Sequence, residues 1–249
     1  LNPAPIANAG VWEGFSDDVV GRVDVTNEYD GAELNTEYIF GTSVFGYQGS
    51  INTTRLVPVA RDTKIIALTL TESIVSWSLI AEYDYGVDGM PYQPIQIDAW
   101  LKYDPSNPTK MTAYDFTFRR YAWSVQEAFP YLLKPIANEL GYSQILSSSN
   151  LIKMRAAVDT CEVAMAYCLG SNKQYDDFDG CVNFLMTERE LGDPWALGQD
   201  TTFCRYIHRA MLTYCTLRPD VHCVHVGPSG GDMCVEREVS IYFLTLWCG

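Results

Sequence analysis

Apolar and polar positions alternate with a period of two through most of the first 123 residues. In residues 74–83, Val75, Trp77, Leu79, Ala81 and Tyr83 share one face. In residues 95–103, Ile95, Ile97, Ala99, Leu101 and Tyr103 share one face, and Gln96, Asp98, Trp100 and Lys102 the other. Residues 113–119 set Tyr114, Phe116 and Phe118 against Asp115, Thr117 and Arg119. Segments 19–26 and 33–40 flank Tyr29-Asp30-Gly31, and segments 52–60 and 64–70 flank Arg61-Asp62-Thr63, two hairpin signals. Asp104-Pro105-Ser106-Asn107-Pro108 is a turn. About seven strands joined by short turns predict an antiparallel β-meander over residues 1–123. It is either a strongly curved, cone-like sheet or a lipocalin-like barrel.

The period changes after residue 123. Ser124-Val125-Gln126-Glu127 fits a capping box, with Pro130 and Pro135 as interruptions and Gly141 as a stop. Ser147, Ser148, Ser149 and Asn150 form a linker or a second cap. Leu151, Met154, Val158, Cys161, Met165 and Cys168 recur at helical spacing, predicting a helix over 151–168. Further helices are predicted over 179–191, closed by Gly192, and over 201–215. The remainder reads as loop, apart from the apolar stretch 240–247, which either adds a strand or packs on the helices. The fold class is therefore α+β: a β-sheet domain over 1–123, then a helical, disulfide-rich region over 124–249 packed on it.

Eight cysteines change this picture: Cys161, Cys168, Cys181, Cys204, Cys215, Cys223, Cys234 and Cys248, with none before residue 161. An even number within 88 residues predicts four disulfides formed in an oxidising compartment. A zinc cluster is the rival, but the chain has no C-x-x-C pair. Eight cysteines allow 105 pairings, so connectivity stays open. The 249 residues are 47% hydrophobic, enough for a real core. A net charge of −14 argues against nucleic acid and against anionic membrane surfaces as partners. No apolar run of about 18 residues exists to span a bilayer. Leu1-Asn2-Pro3-Ala4-Pro5-Ile6-Ala7 reads like a mature N-terminus after cleavage, and Asn52-Thr53-Thr54 is a glycosylation sequon. Together these predict a secreted protein. Its oligomeric state is open.

Two constellations offer chemistry. His208, His222 and His225 fall within 18 residues, among the cysteines. They are a candidate site for copper or zinc, with Asp220 or Asp232 as a carboxylate ligand. The alternative is that they hydrogen-bond loop carbonyls and helix ends. The adjacency of His222 and Cys223 makes them face opposite ways in extended chain, which weakens a compact ligand set. Gly227, Gly230 and Gly231 imply a tight loop near residue 228. The second constellation is aromatic. Trp77, Tyr83, Trp100, Tyr114, Phe116 and Phe118 could line a small-molecule pocket on a concave sheet, or simply pack between sheet and helices. No H-E-x-x-H is present. Gly10-Val11-Trp12 matches the short G-x-W of lipocalins.

Cys204-Arg205-Tyr206-Ile207-His208 and then Arg218-Pro219-Asp220-Val221-His222-Cys223-Val224-His225-Val226-Gly227-Pro228-Ser229-Gly230-Gly231-Asp232-Met233-Cys234 resemble the tail of a secreted fungal Cys/His-rich family. Ile97-Asp98-Ala99-Trp100, Tyr114-Asp115-Phe116-Thr117-Phe118 and Cys181-Val182-Asn183-Phe184-Leu185 extend the resemblance over residues 95–234. Extended to the pink chromoprotein of oyster mushrooms, it implies a bound organic chromophore. Residues 95–119 also look like the end of polyketide-cyclase-like cone folds, from which the β-rich N-terminus departs. Two functions follow as expectations: a secreted binding protein for an aromatic or apolar small molecule, or a secreted enzyme. The enzyme would use the histidines and a metal, or cyclase-like carboxylates such as Asp98 and Asp115.

Overall fold

The computed structural model describes residues 3–43, 54–142, 147–214 and 218–237. Asn52, Cys215, Cys248 and the stretch 240–247 lie outside the described residues. A short helix, α1 (Ala4–Ala9), leads into β1 (Phe15–Val23) and β2 (Glu28–Asp30), followed by α2 (Ala32–Thr36). Then come β3 (Val59–Leu70), β4 (Ile74–Asp84), β5 (Gln93–Asp104) and β6 (Asn107–Arg119). The helical half holds α3 (Tyr121–Glu139), α4 (Ser148–Tyr167), α5 (Phe178–Thr187), α6 (Thr202–Tyr214) and α7 (Pro219–Val226). The fold is mixed α+β.

The sheet order is β2-β1-β6-β5-β4-β3. The run from β3 to β6 is the expected meander, each pair antiparallel. β1 then lies parallel to β6, not antiparallel, and β2 and β3 are the two edges. The sheet is thus open, which corrects the barrel alternative. Strand alternation holds in β4, β5 and β6. Ala99 pairs with Trp77 and Phe116, and Ile97 with Leu79 and Phe118, so these six side chains share the inner face.

Several local expectations are corrected. Segment 33–40 is helical. Gly31 turns the chain at φ +83°, and Leu34, Tyr38 and Ile39 then pack inward from α2 and a π-turn over Glu37–Gly41. Arg61-Asp62-Thr63 is not a turn. It lies inside β3, where a bulge shifts the register between Ala60 and Asp62. The first long helix starts at Tyr121, three residues before the capping-box serine, and runs through both Pro130 and Pro135. Helix α4 is closer to expectation: the Ser147 hydroxyl accepts from Asn150 N–H at its N-terminus. The stretch expected to be loop after residue 217 contains α7, with Pro219 in its first turn, where its missing N–H is harmless.

Three disulfides join the helices among the described residues: Cys161–Cys181, Cys168–Cys223 and Cys204–Cys234. They tie α4 to α5, the end of α4 to α7, and α6 to the loop after α7. No helix among the described residues is long and apolar enough to cross a membrane.

Candidate functional site

The inner face of the sheet and the helices laid over it enclose a cavity of about 250 Å³. Phe116 and Phe118 of β6, Tyr83 of β4 and Val23 of β1 form its floor. Tyr38, Ile39 and Thr42 close one side, from the π-turn and the residue after it. Phe203 and Ile207, one turn apart on α6, form the roof with Leu197. The Leu197 N–H donates to the Val25 carbonyl (2.8 Å) and so fixes that loop against the turn after β1.

One end of the cavity is polar. Thr26 Oγ1 and Tyr38 Oη lie 2.6 Å apart, and the Tyr29 and Tyr38 rings stack with centroids 4.0 Å apart. Burial pushes the Tyr38 phenol up to about 12 and that of Tyr29 well above its ordinary value. These hydroxyls are neutral at every ordinary pH and offer hydrogen bonds, not charge. None of the described lining residues is a histidine, cysteine, lysine, arginine or carboxylic acid. The cavity can hold and orient a molecule, but its described wall carries no group that titrates near neutrality.

Of the six expected aromatic residues, Tyr83, Phe116 and Phe118 line the cavity. Trp77 packs behind Phe116, ring centroids 5.8 Å apart. Tyr114 is fully buried, stacked on Phe15 and tilted against Phe116. Trp100 is on the outer face, 50% exposed, paired with Asp115 across the strands. Asp115 forms an ion pair there with Arg22. Asp98 is on the same outer face. Its burial would raise its carboxyl, yet hydrogen bonds from Ser78, Arg119 and Gln96 hold it below the usual carboxylate range. Neither expected cyclase-like carboxylate faces the cavity.

Sequence reasoning missed Thr26, Tyr38, Ile39, Phe203 and Ile207. The signal for the last two was present: they stand at i and i+4 on a predicted helix, on an apolar strip beside the Cys204–His208 face. Tyr38 was hidden because its segment read as a strand.

The three histidines form a second cluster, on α6 and α7. α7 puts His222 and His225 three residues apart on one helix face, so their extended-chain separation does not arise. The His225 ring lies 5.1 Å from that of His208 and 5.6 Å from that of His222, centroid to centroid. His222 Nε2 faces the buried Glu37 carboxylate at 3.3 Å, and His225 Nε2 faces Asp232 at 2.8 Å. The Nδ1 atoms of all three are buried without a hydrogen-bond partner. Burial, aided by the neighbouring imidazoles, pushes His208 well below its ordinary value, and burial lowers His225. The expected set of His208, His222 and His225 does not converge on one point. Among the described residues the one group whose donor atoms lie within 4.8 Å of one another is Cys204, His208 and Cys234.

The tail motif now has a structural reading. The Arg205 guanidinium, fully buried, donates to the carbonyls of Thr201, Gly227 and Pro228 and to Asp200, tying α6 to the loop after α7. Arg218 pairs with Glu33. Gly230 and Gly231 hold φ values of +73° and +60°. A Cβ on Gly231 would lie 2.6 Å from the His225 ring, so the loop passes that ring only because the position is glycine.

Residues 1–116 match the BfoA N-terminal domain, and residues 120–237 match the BfoA family C-terminal domain. Aurasperone B biosynthesis cluster protein A of Aspergillus niger is 33% identical over 224 residues, covering 90% of this chain and 68% of that protein. The chain belongs to the BfoA family. Bifonsecin B biosynthesis cluster protein A of Aspergillus brasiliensis is also 33% identical, over 90% of this chain and 70% of its own length. The two domain matches part at the end of β6, between residues 116 and 120, so the cavity of this BfoA family member takes Val23, Tyr83 and Phe116 of its floor from one and its roof from the other. A steroid Δ-isomerase from Pseudomonas aeruginosa is 11% identical, over 51% of this chain and 77% of that one, with a TM-score of 0.30. An LEH-like epoxide hydrolase from M. tuberculosis is 16% identical, over 51% and 79%, with a TM-score of 0.31. Likenesses of this size bear on neither ligand nor chemistry.

Proposed function

We propose that this BfoA family protein is a secreted binding protein for a compact aromatic or apolar molecule, held in the cavity between sheet and roof. The observation that carries this reading is the wall itself: aromatic and aliphatic around a neutral hydroxyl pole, with no titrating group among its described residues near neutrality. The volume of about 250 Å³ lies just under the roughly 300–1,000 Å³ of drug-sized sites, so a fused bicyclic ring is the fitting scale. The hydroxyl pair favours a ligand with an oxygen at one end. A conjugated pigment is a molecule of this class. Relatives named for the biosynthesis of aurasperone B and bifonsecin B are consistent with a small-molecule role. Three disulfides support an oxidising compartment.

Calorimetric titration with 2-naphthol and naphthalene tests the reading. Ile207→Phe fills the cavity from the roof and weakens both probes at least tenfold. Tyr38→Phe removes one hydroxyl of the pair and weakens 2-naphthol about three- to tenfold, the worth of one hydrogen bond, while leaving naphthalene unchanged. Failure of the wild-type protein to bind either probe, or equal binding by Ile207→Phe, overturns it.

A further inference from the structure

The set of donors that converges does so on a staple. Cys204 and His208 stand one turn apart on α6, and Cys234 reaches them from the end of the Gly230-Gly231 loop. The two sulfurs and a His208 ring nitrogen lie within 4.8 Å of one another, and all three residues are buried. His208 is 4% exposed and its Nδ1 has no hydrogen-bond partner. His225, 3% exposed, presents its edge to that ring, and its Nδ1 is likewise unpartnered. A disulfide gains nothing from an imidazole beside it. A buried unpaired nitrogen costs about 1–3 kcal/mol. Two cysteine sulfurs with one or two imidazoles are the donor set of tetrahedral zinc. Among the described residues neither Cys161–Cys181 nor Cys168–Cys223 belongs to such a group.

We propose that Cys204, His208 and Cys234 form a redox-gated zinc site, closed as a disulfide when oxidised and open to Zn²⁺ when reduced. The opening reagent is a dithiol. It gives two electrons and two protons to the sulfur–sulfur bond and leaves as its own disulfide, and Cys204 and Cys234 become thiols. Zn²⁺ then replaces the two thiol protons, which pass to solvent. Two thiolates and a neutral imidazole give the bound metal no net charge, which suits a buried site. Tetrahedral bonds of about 2.3 Å set the sulfurs about 3.8 Å apart. The Cα atoms, 5.7 Å apart, already stand where side-chain rotation alone can supply this. His225 or water takes the fourth position. In both states the start of α6 stays fastened to the loop after α7, so the roof of the cavity survives a change of redox compartment.

The test uses the full chain, reduced without oxygen by a phosphine, which competes weakly for metal. Co²⁺ is titrated in while the thiolate-to-cobalt charge-transfer and tetrahedral d–d bands are followed, and Zn²⁺ is then added to displace it. The expected result is one equivalent of Co²⁺ bound by reduced protein and no thiolate band from oxidised protein. The bands persist in Cys161→Ser/Cys181→Ser, vanish in Cys204→Ser/Cys234→Ser, and in His208→Ala the affinity falls at least tenfold. The His208→Ala protein keeps every cysteine, so its fold is checked by circular dichroism before reduction, and it decides the matter if the double serine variant does not fold. Reduced wild-type protein without a thiolate–cobalt band overturns the proposal. So do bands of unchanged affinity in His208→Ala, or bands that follow Cys161 and Cys181 instead.

Discussion

Tyr114, Phe116 and Phe118 stand on one strand and on one face, yet they do three different things. Tyr114 is fully buried, with its ring and hydroxyl pressed against the backbone of Gly21 on the neighbouring strand. Phe116 bridges core and cavity, touching the Tyr114 and Trp77 rings while lining the space above. Phe118 lines the cavity and meets Tyr121 edge-on. Alternation in the sequence could assign the face of all three but not the depth, because depth depends on which strand lies alongside. Gly21 is what admits Tyr114: a Cβ there would lie inside both the Tyr114 ring and Asn35 Oδ1. The Asn35 side chain is itself committed, donating to the carbonyls of Tyr29 and Gly31 at 2.8 Å each. Gly21→Ala is therefore expected to cost about 1–3 kcal/mol or more, as overpacking against groups that cannot give way. Urea denaturation checks this. A midpoint equal to wild type would mean that Tyr114 has room the structure does not show.

At the scale of elements, legibility followed periodicity. Strands β4, β5 and β6 and helices α4 and α6 carry long, unbroken patterns, and the structure has them close to where the pattern does. The misses share a cause. Residues 32–41 are too short for a helical period to declare itself, and Leu34, Tyr38 and Ile39 gain their helical setting from packing against the sheet. α7 is eight residues long and is held by what lies outside it: Arg205 on the loop after its end, Glu37 on His222, and Cys168 on Cys223. Such a helix is a product of its staples. The Cys168–Cys223 bridge closes 55 residues, the widest of the three loops, and the loop-entropy relation gives it about 4 kcal/mol, against about 3 for the 20-residue span of Cys161–Cys181. Thermal unfolding of Cys168→Ala/Cys223→Ala and Cys161→Ala/Cys181→Ala is expected to rank them in that order, with the first also losing helix signal before the main transition. The reverse ranking would mean that α7 is held without its disulfide.

At the scale of the whole molecule, fold class was readable and topology was not. Nothing in the local pattern announces that β1 runs parallel to β6 or that the sheet stays open, since both depend on pairings nearly a hundred residues apart. The cavity follows from that global arrangement. Its floor belongs to the sheet half, its roof to the stapled helices, and its polar end to Thr26 after β1 and Tyr38 of the π-turn. The Cys204–Cys234 disulfide fastens α6, which carries Phe203 and Ile207, to the loop after α7. The same chain exposes a second apolar surface, on β3, where Ile65, Ile66, Leu68 and Leu70 are largely solvent-facing. A greasy probe could settle there without meaning. Methyl-resolved NMR during titration with 2-naphthol separates the two. Saturable shifts are expected at Val25, Ile39 and Ile207, with Ile65, Ile66 and Leu68 unmoved. Shifts confined to the β3 methyls, with the cavity methyls silent, would contradict it.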